Sequence, residues 1–234
     1  MIKGIYTAAR GLDARMKNLE IVSNNLANLN TTGFKKELPF SEIMNQFGNT
    51  KIQQLTDFRQ GNLTQTNNPM DLAISGNGFF VVHTNNGTEL TRNGSFKISN
   101  EGYLIDQQGN NVVGQNGLIK IDMRSFEKQK NITISANGEV KYGNETIDTL
   151  LIAKMGSPQD SGRSSGVDFS AAGGYQLANP SDYQVKQGYL EDSNVNPVSE
   201  MESMIQISNE YQSASKMITF LDKSLDEANQ IGKV

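Results

Sequence analysis

The sequence predicts an α+β protein: N- and C-terminal helices that pair as a coiled-coil domain, with a central all-β domain of short hairpin-connected strands. Two matching apolar repeats and one recurring turn dipeptide predict it. In the first 30 residues Ile2, Ile5, Ala9, Leu12, Met16, Leu19 and Leu26 recur at alternating steps of three and four, with Ser23 the one polar position. In the last 30, Met204, Ile207, Tyr211, Ala214, Ile218, Leu221, Leu225 and Ala228 do the same. That spacing is the a/d seam of a coiled coil, and the nearest apolar partner for each stripe is the other end of the chain. Between them, Asn-Gly recurs at 77–78, 86–87, 93–94, 116–117 and 137–138 among short β-prone runs. Asn-Gly is a strong hairpin signal because both residues accept φ > 0.

Residues 1–33 are expected to form the N-terminal half of the helical domain, as one helix over 1–30 about 45 Å long. Asp13 and Lys17 form an i,i+4 pair on its polar side. Ser23, Asn24, Asn25, Asn28 and Asn30 weaken the helix by competing for backbone hydrogen bonds, and Thr31, Thr32 and Gly33 stop it. Residues 34–70 read as an extended connector, with one short amphipathic helix carried by Phe40, Ile43, Met44 and Phe47. Residues 71–190 form the β-domain, with runs at Phe79–Thr84, Phe96–Ile98, Tyr103–Ile105, Ile132–Ile134 and Thr146–Ala153. A Gly/Ser-rich loop fills 156–174, and a last strand or two lies around Tyr183–Leu190. Residues 191–234 hold the second helix, with Asn196 as N-cap, Pro197 as first residue and Glu200 near the positive end of the helix dipole.

Composition narrows the function. At 234 residues and net charge −4 the chain can bury a core but shows no basic block, so nucleic acid is not an expected partner. Mean hydropathy is −0.50, and no apolar run approaches the roughly 20 residues of a membrane span. Lys3 is followed by an amphipathic stretch, so no cleaved signal peptide is expected. The absence of cysteine excludes disulfides and thiolate chemistry.

No motif argues for catalysis, and no cofactor or metal is expected. Gly76-Asn77-Gly78 begins like a dinucleotide fingerprint, but Val81 stands where the third glycine belongs, so a hairpin is the better reading. His83 is the single histidine and has no second one to share a metal. Asp71, Asp106, Asp122 and Asp148 fall at turns and strand ends, where aspartate serves the backbone.

Four segments carry a resemblance. SNNLANLNTTGFKK (23–36) resembles the signature S-N-N-[IL]-A-N-x-x-T-x-G-[FY]-K of the flagellar rod and hook family of axial proteins. NNPMDLAISGNGFFVV (67–82), TRNGSF (91–96) and QGYLEDSNVNPVSEM (187–201) are similar to further family segments, in the same order along the chain. The departures are Asn67 in place of glycine and Met70 in place of leucine, and asparagine tolerates the left-handed backbone well.

The resemblance implies a structural subunit of the bacterial flagellar basal-body rod, in a helical tube that crosses the periplasm and transmits torque. It implies inner paired terminal helices, an outward β-domain, and type III export without a cleaved signal peptide. Implied partners are other axial proteins (rod and hook subunits) and further copies, with the export apparatus during secretion and no nucleic acid or membrane insertion. Assembly is expected to rest on the helical seam (Ile5, Leu12, Met16, Leu19, Leu26, Met204, Ile207, Tyr211, Ile218, Leu221, Leu225). The signature residues Ser23, Asn24, Asn25, Asn28, Thr32, Gly33, Phe34 and Lys35 are expected to form a joint, with Phe34 as an anchor on a neighbouring surface. The β-module argues against the smallest proximal-rod members, and the modest length against the hook protein. Length and the ending LDKSLDEANQIGKV favour the proximal FlgF type over the distal FlgG type. Other readings are a secreted coiled-coil/β binding module and an enzyme with a carboxylate site in the β-domain.

Overall fold

The computed structural model describes residues 2–39, 54–121, 132–155, 163–171 and 174–231, with side chains at 2–5, 39, 54–55, 165, 225–226 and 228–231 left undescribed. Among the described residues the α+β class holds: a helix at each end and antiparallel strands between them. The chain divides into two compact units. One comprises Met1–Leu29, Lys36–Asp57 and Val195–Val234; the other comprises Asn30–Lys35 and Phe58–Asn194.

The helical unit contains α1 (Ile2–Ala27) and α2 (Pro197–Ile231). The Asn196 carboxamide oxygen accepts from the amides of Val198 and Ser199 at 3.0 and 3.3 Å, so α2 starts where the Asn-Pro pair places it. Asp13 and Lys17 pair at 3.0 Å along α1. α1 stops three residues short of the expected end. Asn28 turns its side chain back to the Asn24 carbonyl and carboxamide, supplying the last turn with a local partner in place of helix continuation. The stretch expected as connector contributes Glu37–Pro39 and Gln54–Thr56, which pair antiparallel in this unit; the expected 40–47 helix lies outside the described residues.

The β unit is built on the strand Phe79–Thr84, which is buried on both faces. Phe80 and Val82 enter a core with Leu72, Ile74, Leu104, Val112 and Leu150. Phe79 and Val81 enter a second cluster with Leu90, Ala153 and Phe169. The continuous run FFVV therefore reads as a two-sided strand, not an alternating one. Gly87–Thr91 pairs along one edge of this strand; Ile152–Met155 and Asn111–Gly114 share the other. Beyond Gly87–Thr91 lie Asp168–Ser170 and then Arg163–Ser165. Leu72–Gly76 pairs with Tyr183–Gln187, and Leu63–Gln65 with Tyr189–Glu191.

Several expectations change in three dimensions. The dipeptides at 86–87, 116–117 and 137–138 lie at hairpins. Asn77-Gly78 does not: Leu72–Gly76 pairs with Tyr183–Gln187, so the dipeptide joins two different sheets. Asn93-Gly94 is also a corner. A Cβ on Gly94 would run into the Leu72 carbonyl, so this glycine permits a close backbone crossing. The single strand expected over Thr146–Ala153 is two, Glu145–Thr149 and Ile152–Met155, in separate sheets. The Gly/Ser-rich loop contains a hairpin, Arg163–Ser165 with Asp168–Ser170, because Val167 and Phe169 have a core to enter. Asn67 takes φ +61°, the left-handed conformation for which asparagine is suited in place of glycine.

Candidate functional site: the anchoring of the signature segment

The asparagine-rich end of α1 splits its side chains by role. Asn25 is fully buried in the helical unit. Its Nδ2 donates to the Glu37 carbonyl at 2.9 Å and to Glu200 Oε2 at 3.1 Å, and its Oδ1 accepts from the Glu37 amide at 2.9 Å. Lys36 pairs with Glu200 from the other side. One carboxamide thus ties the end of α1 to the first turn of α2 and to a strand. Ser23 and Asn24 are exposed.

The next six residues, Asn30–Lys35, belong to the β unit. Thr32 donates to Asn93 Oδ1 at 3.0 Å. Gly33 has φ +72°, and its amide donates to the Glu191 carbonyl at 2.7 Å. A Cβ on Gly33 would stand 2.6 Å from the Arg92 carbonyl carbon and 2.8 Å from Asn93 Cα. Gly33 is therefore not the stop of α1, which ends six residues earlier; it is a point of backbone contact that excludes any side chain. Phe34 is buried within its own unit, with the Arg163 guanidinium 4.3 Å from its ring centroid.

Lys35 ends the segment in a buried ionic node. Its ammonium is wholly buried and donates to Glu191 Oε1 and, at 2.8 Å, to the Arg59 carbonyl. Glu191 Oε1 also accepts from the Gly61 amide at 2.9 Å, and Oε2 accepts from Arg92 Nη1 at 2.9 Å. Arg92 further donates to the carbonyls of Ile74 and Gly76, and its guanidinium lies 5.1 Å from the Phe79 ring centroid. Burial lowers the Arg92 pKa from its ordinary value, and Glu191 acts against that shift. Two cations share one carboxylate, backbone carbonyls and an amide add further hydrogen bonds, and Arg92 Nε is left buried without a partner. Such a node is costly to desolvate and costly to break, and it fixes which three segments meet. It holds strands together and offers no exposed acid, base or nucleophile.

The expected seam residues are only partly covered. Leu12, Leu19 and Leu26 on α1 and Met204, Ile207, Tyr211 and Ile218 on α2 are half-buried. Met16 is 46% exposed, and the seam position between Leu12 and Leu19 is taken by Arg15, whose Nε lies 3.4 Å from Glu210 on α2. Arg15 is half-buried while Met16 faces outward. Leu221 is 38% exposed, and the side chains of Ile5 and Leu225 lie outside the described residues.

His83 is exposed, and no group of three His, Cys, Asp or Glu among the described residues is placed to hold a metal. Asp71, Asp106 and Asp148 accept from nearby amides, hydroxyls or carboxamides, as turn aspartates do; Asp122 lies outside the described residues. Arg92, Glu191 and Arg163 did not stand out in the sequence. Arg92 and Glu191 lie inside the quoted TRNGSF and QGYLE segments, but nothing local marks a charge as buried.

The three charges of the node also fall one in each of three family matches. The Flagella basal body rod protein family matches residues 5–35, which include Lys35. The Flagellar hook protein FlgE/F/G D1 domain matches residues 73–142, which include Arg92. The Flagellar basal body rod FlgEFG protein C-terminal family matches residues 186–231, which include Glu191. The flagellar basal-body rod protein FlgG of Buchnera aphidicola subsp. Baizongia pistaciae is 32% identical, covering 97% of this chain and 98% of its own. The FlgF of Caulobacter vibrioides is 32% identical, covering 96% and 97%. The FlgG of Borreliella burgdorferi is 33% identical, covering 99% of both. The chain belongs to the flagellar basal-body rod protein family. FlgF and FlgG relatives match at similar identity and do not separate the two types.

Proposed function

We propose that this chain is a structural, non-catalytic subunit of the bacterial flagellar basal-body rod, serving motility. The observation that carries the reading is the end-to-end match: relatives of rod function align along at least nine-tenths of both chains, through both helices and the β unit. The paired helices α1 and α2 act as a short coiled coil in the inner wall of a tube. Their exposed apolar side chains (Tyr6, Met16, Met201, Ile205, Met217 and Phe220) are the contacts for other axial subunits and further copies. The signature segment acts as the joint: Asn25 fastens the helical unit and Gly33–Lys35 the β unit, within ten residues. Export proceeds through the flagellar apparatus, and the assembled protein sits in the periplasmic rod.

The proximal, FlgF-type position is favoured by length. The chain's 234 residues, fewer than is usual for the distal type, are what supports this reading. Photocrosslinkers placed at Met217 and Phe220 in the otherwise cysteine-free chain test the assignment in purified basal bodies. Crosslinks to proximal axial subunits are expected. Crosslinks confined to distal rod or hook subunits favour the FlgG type, and absence of the chain from basal bodies removes the rod reading.

A further inference from the structure

The hairpin formed by Arg163–Ser165 and Asp168–Ser170 lies over the signature segment within the β unit. Arg163 Nη2 donates to the Lys35 carbonyl at 2.6 Å, its Nη1 donates to the Gly166 carbonyl at 2.7 Å, and its guanidinium stacks on Phe34. The hairpin is attached to the sheet through Asp168–Ser170, which pairs with Gly87–Thr91 so that Asp168 faces Thr91 across the ladder. On the side facing the second apolar cluster, Phe169 is fully buried. Asp168 is 2% exposed, and its Oδ2 is buried without a hydrogen-bond partner.

The charged groups acting on Asp168 are Asp106 and Glu89, both negative and both buried. Glu89 in turn accepts from Ser164 of the same hairpin at 2.6 Å. An ionised Asp168 is thus desolvated, lacks a donor on one oxygen and faces like charge; a neutral one avoids the desolvation of a charge and the repulsion, the two larger penalties. We propose that this hairpin is a proton-responsive clasp on the signature segment, held closed by Arg163 over Phe34 and Lys35 when Asp168 is protonated and loosened when Asp168 ionises. Burial, with Asp106 and Glu89 adding to it and Thr91 and Gln108 opposing, raises the Asp168 pKa to about 6. The change of state therefore falls near neutrality, well above the ordinary aspartate range.

The sign follows from the two pKa values. Between roughly pH 4 and 6 the native hairpin holds a proton that the opened one releases, so closure is strongest at the acid end and weakens as pH rises through about 6. Phe169 remains in its cluster in both states, which makes the change a loosening and not an unfolding of the sheet.

The test uses the full-length protein and two NMR measurements. The side-chain carboxyl carbon of Asp168 is followed from pH 3 to 8, and amide hydrogen exchange is measured at pH 5 and 7.5, corrected for intrinsic rates. A midpoint near 6 is expected, with protection of the 163–170 amides falling on the order of ten-fold relative to amides of Leu72–Gly76. Asp168→Asn is expected to keep high protection at both pH values. A midpoint in the ordinary aspartate range overturns the proposal without reference to any variant. So does a midpoint near 6 with no change in protection at 163–170, or an equal loss of protection throughout the unit.

Discussion

At the scale of single residues, the signature segment is held by contacts of unequal strength. At Gly33 an added Cβ meets backbone that has no room to move, in a conformation L-residues rarely adopt. A simple helix cap loses only about 1 kcal/mol on such a change. Gly33→Ala is expected to destabilise the β unit by about 2–4 kcal/mol, and Gly33→Val by more, in urea unfolding followed through NMR signals of that unit. A loss of 1 kcal/mol or less returns Gly33 to the role of a cap. In the node the asymmetry of charge decides which substitution hurts more. Glu191→Gln leaves Lys35 and Arg92 buried with no anion, whereas Lys35→Met leaves Glu191 paired with Arg92. Glu191→Gln is expected to cost about 4 kcal/mol and Lys35→Met about half as much. Equal costs, or the reverse order, are incompatible with a shared carboxylate at the centre.

At the scale of elements, the helices and the hairpins answer to different rules. Each helix is specified by local periodicity and capping, so the start of α2 at Pro197 was legible residue by residue. The phase of the α1 seam was not: Arg15, which reaches Glu210 on α2, is half-buried where Met16 was expected, and Met16 faces outward. Leu19→Asp therefore places a charge in a half-buried position, and loss of order in the helical unit is expected by circular dichroism with no change in β-unit melting. Leu221→Asp falls on a more exposed position, so monomer helicity is expected to persist while swimming is lost. Normal swimming with Leu221→Asp removes α2 from the assembly surface. Hairpins were legible where a tight turn joins paired strands, as at Asn86-Gly87, and not where the same dipeptide turns a corner between sheets, as at Asn77-Gly78. The dipeptide reports a permissive backbone, while pairing is decided by which strand lies alongside.

At the scale of the whole molecule, the chain alternates between its two units, passing from one to the other after Leu29, Lys35, Asp57 and Asn194. The β unit thus includes six residues that precede its main body by more than twenty positions in sequence. A fragment spanning 30–194 is expected to melt at least several degrees above one spanning 58–194, which lacks Thr32, Gly33, Phe34 and Lys35. Equal melting temperatures mean that the segment is not part of that unit's cooperative core. By itself the sequence determined the α+β class, the terminal helices, the family and the left-handed turn at Asn67, because periodicity, capping and turn chemistry act over a few neighbouring residues. Only the tertiary structure decided that Lys35, Arg92 and Glu191 are buried together, that Gly33 touches a distant backbone, and that a Gly/Ser-rich stretch folds into a hairpin. The burial of a charge and the closeness of two backbones depend on residues 60 to 160 positions apart, and no local pattern carries them.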